Sequence, residues 1–116
     1  MATCGGRRMA KGDHLGEFEH LVMLALLRLK QDSYGMRVRR EIETRTGRTV
    51  TIGAVYATLD RLERKGFVRA SAAGVEARAR KYFRITPSGA EAIRANREAV
   101  ARMTSGLSVE RELGEI

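Results

Sequence analysis

The chain has 116 residues and a formal net charge of +8, from 22 Lys and Arg against 14 Asp and Glu. That length holds one domain with one core, and the charge favours an anionic partner, be it nucleic acid, an acidic protein or an anionic membrane surface. The single cysteine, Cys4, excludes an internal disulfide and fits a reducing, cytoplasmic compartment, while no apolar run approaches the ~20 residues of a membrane span.

Residues 1–14, MATCGGRRMAKGDH, are Gly-rich and basic and lack the apolar middle of a signal peptide, so they read as a disordered or basic N-terminal arm. A first helix follows from about Gly16 to Lys30. Phe18, Leu21, Val22, Leu24, Ala25, Leu26 and Leu29 make it apolar around more than half its circumference, so it reads as the central core helix with room for contact with a second copy of the chain. Ser33 is the expected N-cap of a second helix, Tyr34 to about Thr46, with Tyr34, Met36, Val38 and Ile42 inward and Gly47 at its end. The short link places a third helix close by, capped by Thr49 or Thr51. In that helix Ile52, Val55, Leu59 and Leu62 recur at steps of three and four, the spacing of one buried face. Its other face carries Gly53, Ala54, Ala57, Arg61 and Arg64, small at the start and cationic at the end, a shape that can approach a polyanion closely. Gly66 closes it.

Phe67 to Ala70 is short and β-prone, 71–79 is rich in small residues, and RKYFRI (80–85) alternates as a strand does. Together they read as a hairpin directly after a recognition-type helix, which is a wing. Its cations, Arg69, Arg78, Arg80, Lys81 and Arg84, outnumber Glu76 by four. Thr86 and Pro87 open a last helix that runs to about Leu107. Ala90, Ile93, Val100, Met103 and Leu107 recur along it at roughly heptad spacing, too little to bury alone and suited to a partner subunit. The acidic tail, 108–116, is expected to fray. The predicted architecture is mainly α with a small β-hairpin: a winged helix-turn-helix over 15–86 followed by a dimerisation helix over 87–107.

The phrases LGEFEHLVMLALLRL, DSYGMRVRREIETRTG, TIGAVYATLDRLERKGFV and KYFRITPSGAEAI resemble the PadR family of transcriptional regulators, in its short form with one winged domain and a single C-terminal helix. The resemblance covers residues 15 to 107. It implies a homodimer that binds a palindromic operator, often as a repressor, with Tyr56 at the position of a DNA-contacting tyrosine. Thr51-Ile52-Gly53-Ala54 departs from the family's usual opening of that helix, so no base preference carries over.

The expected DNA interface follows from reach. Thr51, Gly53, Ala54 and Ala57 lie at the front of the third helix, nearest to base edges. Arg61, Arg64 and Lys65 lie further along as phosphate ligands, Tyr56 packs its ring while its hydroxyl bonds a phosphate, and Arg78, Arg80 and Lys81 of the wing reach the minor groove or backbone. Residues 37–65 carry eight cations against four anions. The expected dimer interface is Phe18, Val22, Ile93, Val100, Met103 and Leu107, with a small apolar or aromatic effector between subunits, near Phe18 and Met103, as a separate hypothesis. His14 and His20 read as surface residues without metal-ligand spacing, no nucleophile–base set or paired carboxylates indicate an enzyme, and no cofactor is implied. The alternative reading is a winged-helix module that binds protein rather than DNA, against which the basic wing argues.

Overall fold

The structure of the protein is a computed structural model that describes residues 14–73 and 80–114. Helix α1 (Glu17–Leu29) runs into a single 3-10 turn (Lys30–Asp32), then α2 (Gly35–Thr46), α3 (Ile52–Arg64), strands β1 (Val68–Ala73) and β2 (Arg80–Ile85), α4 (Pro87–Thr104) and a short α5 (Val109–Glu112). Residues 1–13 of the arm, Arg78 and most of the wing tip lie outside the described residues.

The core forms where three apolar stripes meet. Val22, Met23, Ala25 and Leu26 come from α1, Val38 and Ile42 from α2, and Val55, Leu59 and Leu62 from α3. The expected stripe of α3 is therefore buried, with Ile52 packed at its margin. Glycines close two helices as expected: Gly47 follows α2 at φ 74° and Gly66 follows α3 at φ 81°, left-handed values that cost glycine little. Thr51 and Thr86 cap α3 and α4, their hydroxyls accepting from Ala54 N at 3.1 Å and Gly89 N at 3.0 Å.

The strands pair antiparallel, with Val68 opposite Ile85, Ala70 opposite Phe83 and Arg69 opposite Arg84. Phe83 and Val68 enter the core. The hairpin is fixed to the helices at two places. Ser33 does not cap α2, contrary to expectation: it is fully buried, and its hydroxyl donates to the Phe83 carbonyl at 2.6 Å while its own carbonyl accepts from Phe83 N at 3.0 Å. Tyr34 takes the N-cap position instead and bridges Tyr82 of β2. At the far end, Thr86 donates its hydroxyl to the Gly66 carbonyl at 2.7 Å. Met36, expected inward, is exposed.

Helix α4 is covered only in its first half. Gly89, Ala92 and Ile93 are buried, whereas every residue from Arg97 to Leu107 is exposed. It ends at Thr104, before the expected Leu107, because Gly106 turns the chain at φ 77°. The expected dimer set accordingly divides. Val22 and Ile93 are spent on the core of the single chain, at 0% and 5% exposure, and Phe18 is partly buried against that core, while Val100, Met103 and Leu107 stand uncovered. His20 is also corrected: it packs between α1 and α4, with Asn96 Nδ2 donating to its Nδ1 at 2.8 Å and its Nε2 buried without a partner among the described residues. Burial, reinforced by the nearby Arg97 charge, lowers its pKa below the ordinary histidine value.

Candidate nucleic-acid interface

The face of α3 turned away from the core carries Gly53, Ala57, Asp60 and Arg64, spaced three or four residues apart and all exposed. Thr51 and Ala54 flank the front of this stripe and are exposed as well. No side chain longer than a methyl group rises from the first turn and a half of the outer face, so a flat surface can approach the backbone there. Thr51 Oγ1 already accepts the Ala54 N–H, which leaves its hydroxyl proton for an outside acceptor. Asp60 was not among the sequence-expected site residues. It places one carboxylate on that stripe, one turn before its single cation, Arg64, a group that accepts from a cytosine amine and repels phosphate.

Tyr56 leaves α3 on the side of α2. It is 40% exposed, and the end of its ring rests on Gly35, the first residue of α2. Beside Gly35, the Tyr34 ring carries the Arg80 guanidinium at 4.1 Å and meets the Tyr82 ring edge-on at 5.6 Å. The recognition-type helix, the start of α2 and the wing thus present one continuous surface. The first turn of α2 has no side-chain cap and no acidic residue.

The structure separates the cations that sequence spacing groups together. Arg61 and Lys65, expected as phosphate ligands, both point at Glu19 in the first turn of α1. Arg61 Nε and Lys65 Nζ each lie 3.0 Å from its carboxylate, and Lys65 also donates to the His14 carbonyl at 3.0 Å. Burial pushes the Glu19 carboxyl upward, but the Gly16 N–H and the two cations outweigh it, and the net pKa is below the ordinary glutamate value. Arg39 donates to the Val50 carbonyl at 2.9 Å and Arg48 pairs with Glu17 at 2.7 Å, so both brace the ends of the α2–α3 link. Arg45 pairs with Glu41. Among the described residues, Arg40, Arg64, Arg69, Arg80, Lys81 and Arg84 have no carboxylate within ion-pair distance. Arg69 and Arg84 face each other across the strands, a like-charge pair that destabilises a hairpin unless an anion sits over it. Glu19, Tyr34 and Gly35 gave no site signal in the sequence, because their partners lie 42 or more residues away for Glu19 and in other elements for the other two.

The transcriptional regulator PadR-like family matches this chain over residues 23–95. The chain belongs to that family. As a PadR-like regulator it carries the DNA-binding winged helix of transcription regulators. Solved structures agree. RosR from H. salinarum is 26% identical, with 84% of each chain covered and a TM-score of 0.65. A PadR family transcriptional regulator from Eggerthella lenta is 25% identical over 78% of this chain and 81% of that one, with a TM-score of 0.63. A PadR family transcription regulator from Clostridium difficile shares the fold at 19% identity, covering 84% of this chain and 98% of that one with a TM-score of 0.69. No curated protein matches the chain. Among the described residues no cluster of His, Cys, Asp and Glu could hold a metal ion, and no helix is long and apolar enough to cross a membrane.

Proposed function

We propose that this PadR-like regulator acts as a homodimer that binds a palindromic operator and represses the gene it covers. The observation that carries the DNA reading is the open outer face of α3, short at its front and flanked by Tyr56 and the Tyr34–Arg80 stack. Thr51, Gly53, Ala54 and Ala57 meet base edges in the major groove, and Ala54 suits a thymine methyl. Arg64, Arg40 and Arg80 meet phosphates, together with Lys81 and the Arg69–Arg84 pair. Arg61, half exposed, serves Glu19 first and the duplex second, and Lys65 is held by Glu19 and the His14 carbonyl. Support for dimerisation is the uncovered second half of α4. The assignment as a repressor rests on the resemblance to the family.

An effector, on this reading, sits between subunits near Phe18 and Met103. Among the described residues, one apolar groove, lined by Leu21, Leu24, Ala25 and Ile42, holds about 110 Å³, and a wider one beside Leu27, Phe83 and Ile85 holds about 370 Å³. Small-molecule sites typically hold ~300–1,000 Å³.

The test is a salt titration of duplex binding. Wild type should lose affinity steeply with salt as counterions return to the phosphates. Arg64→Ala should weaken binding to every sequence and lower the log–log salt slope by about one. Arg64 suits this test because, unlike Arg61, it has no ion-pair partner among the described residues. Equal affinities of wild type and variant at low salt would show that the outer face of α3 does not meet the duplex.

A further inference from the structure

Gly35 opens α2 with a φ outside the left-handed region, so its backbone does not call for glycine. Glycine is also the poorest helix former after proline. What the position does require is the absence of a Cβ. One built there would overlap Tyr56 Cζ and lie 2.5 Å from Tyr56 Oη and 2.7 Å from Cε1. All three atoms are the far end of one side chain on α3. The preceding residue does the same service for the wing. Tyr34 has no capping bond of its own, and its ring carries the Arg80 guanidinium at 4.1 Å with Tyr82 packed edge-on at 5.6 Å. The chain's three tyrosines therefore meet at one two-residue step.

We infer that Tyr34–Gly35 is the positioning device of the DNA interface: Gly35 seats Tyr56 of α3 and Tyr34 seats Arg80 of the wing, fixing the two relative to each other against one duplex. Neither Tyr34 nor Gly35 needs to touch DNA. The inference rests on the DNA reading above, and the experiment separates their failures.

The probe is a duplex enriched by wild-type protein from a randomised library, and the readout is the dissociation constant in two double-mutant cycles. Gly35→Ala should displace a ring that is 40% exposed and leave the fold intact, with an unchanged far-ultraviolet spectrum. Gly35→Ala and Tyr56→Ala should each weaken binding by roughly tenfold, with less than about twofold further loss in the double variant, as expected of coupled neighbours. Tyr34→Ala and Arg80→Ala should be coupled in the same way, while Tyr34→Phe, which keeps the ring, should bind as wild type does. Tyr34→Ala combined with Tyr56→Ala should multiply the two losses. A glycine needed only for folding would lower affinity equally with or without the Tyr56 ring. Should Gly35→Ala alone fail to fold, adding Tyr56→Ala must restore folding. Multiplying losses within either cycle, or wild-type binding by Gly35→Ala, overturns the inference and leaves the DNA reading standing. Failure of the wild type to enrich any duplex overturns both.

Discussion

Glu19 holds two cations with one carboxylate, and its consequences can be measured through pH. Its pKa is lowered in the folded protein, so the unfolded chain takes up the proton more readily. The stability it contributes is fully present above pH ~4.5 and is lost as pH falls through the depressed folded value. Glu19→Gln keeps the shape and removes the charge. It should cost about 2 kcal/mol at pH 7, the scale of charged hydrogen bonds, discounted for the half-exposed Arg61. Chemical denaturation from pH 7 to pH 3 should show the gap between wild type and variant closing below pH ~4.5. A gap that persists unchanged at pH 3 would mean the carboxylate contributes by packing alone. This residue also shows where sequence reasoning stops. An acidic residue in a first helical turn reads as a partner of the helix dipole, whereas its cations, Arg61 and Lys65, are 42 and 46 residues distant. His20 and Ser33 escaped for the same reason: what each does depends on a partner in another element.

At the scale of the element, end signals were legible because they are local. Thr51, Thr86, Pro87, Gly47 and Gly66 act on backbone groups a few residues away, and the structure uses each as its chemistry suggests. Gly89 sits beside these signals, in the first turn of α4, and is not one of them. Its purpose is instead a contact between elements. A Cβ there would overlap the Phe67 carbonyl oxygen and lie 3.0 Å from Met23 Cε. Backbone cannot swing away as the Tyr56 ring can, so α4 would have to lift from the α3–β1 turn, taking Ala92 and Ile93 partly out of the core. Gly89→Ala should therefore destabilise by about 3 kcal/mol, the range of severe overpacking, despite alanine's better helix propensity. The midpoint and slope of urea unfolding measure this. A variant as stable as wild type would mean that α4 docks with slack.

The whole molecule is extended for its length. Its radius of gyration is 16.6 Å, against about 13 Å for a compact domain of this size. The excess agrees with an α4 that outruns its own core. Val100, Met103 and Leu107 on the projecting part are 54%, 75% and 56% exposed. Fully burying such a side chain yields roughly 1.5–3 kcal/mol, and a little over half of that remains available at Val100 and Leu107 and 75% at Met103. Two copies pairing these stripes would gain about 8 kcal/mol, which lies within the ~4–15 kcal/mol that association itself costs. A dimer so balanced has no reserve against a buried charge. Met103→Glu should give a monomer at micromolar concentration in sedimentation while its thermal midpoint changes little, since Met103 is 75% exposed in the single chain. Because a dimer joins two half-sites about one helical turn apart, ~34 Å, the variant should bind a two-half-site duplex at least about a hundredfold more weakly. Its affinity for a duplex with one half-site should stay near that of wild type. Equal losses on both duplexes would place Met103 in the DNA contact rather than between subunits, and an undisturbed dimer would mean that pairing runs through α1, where Leu27 is also half exposed.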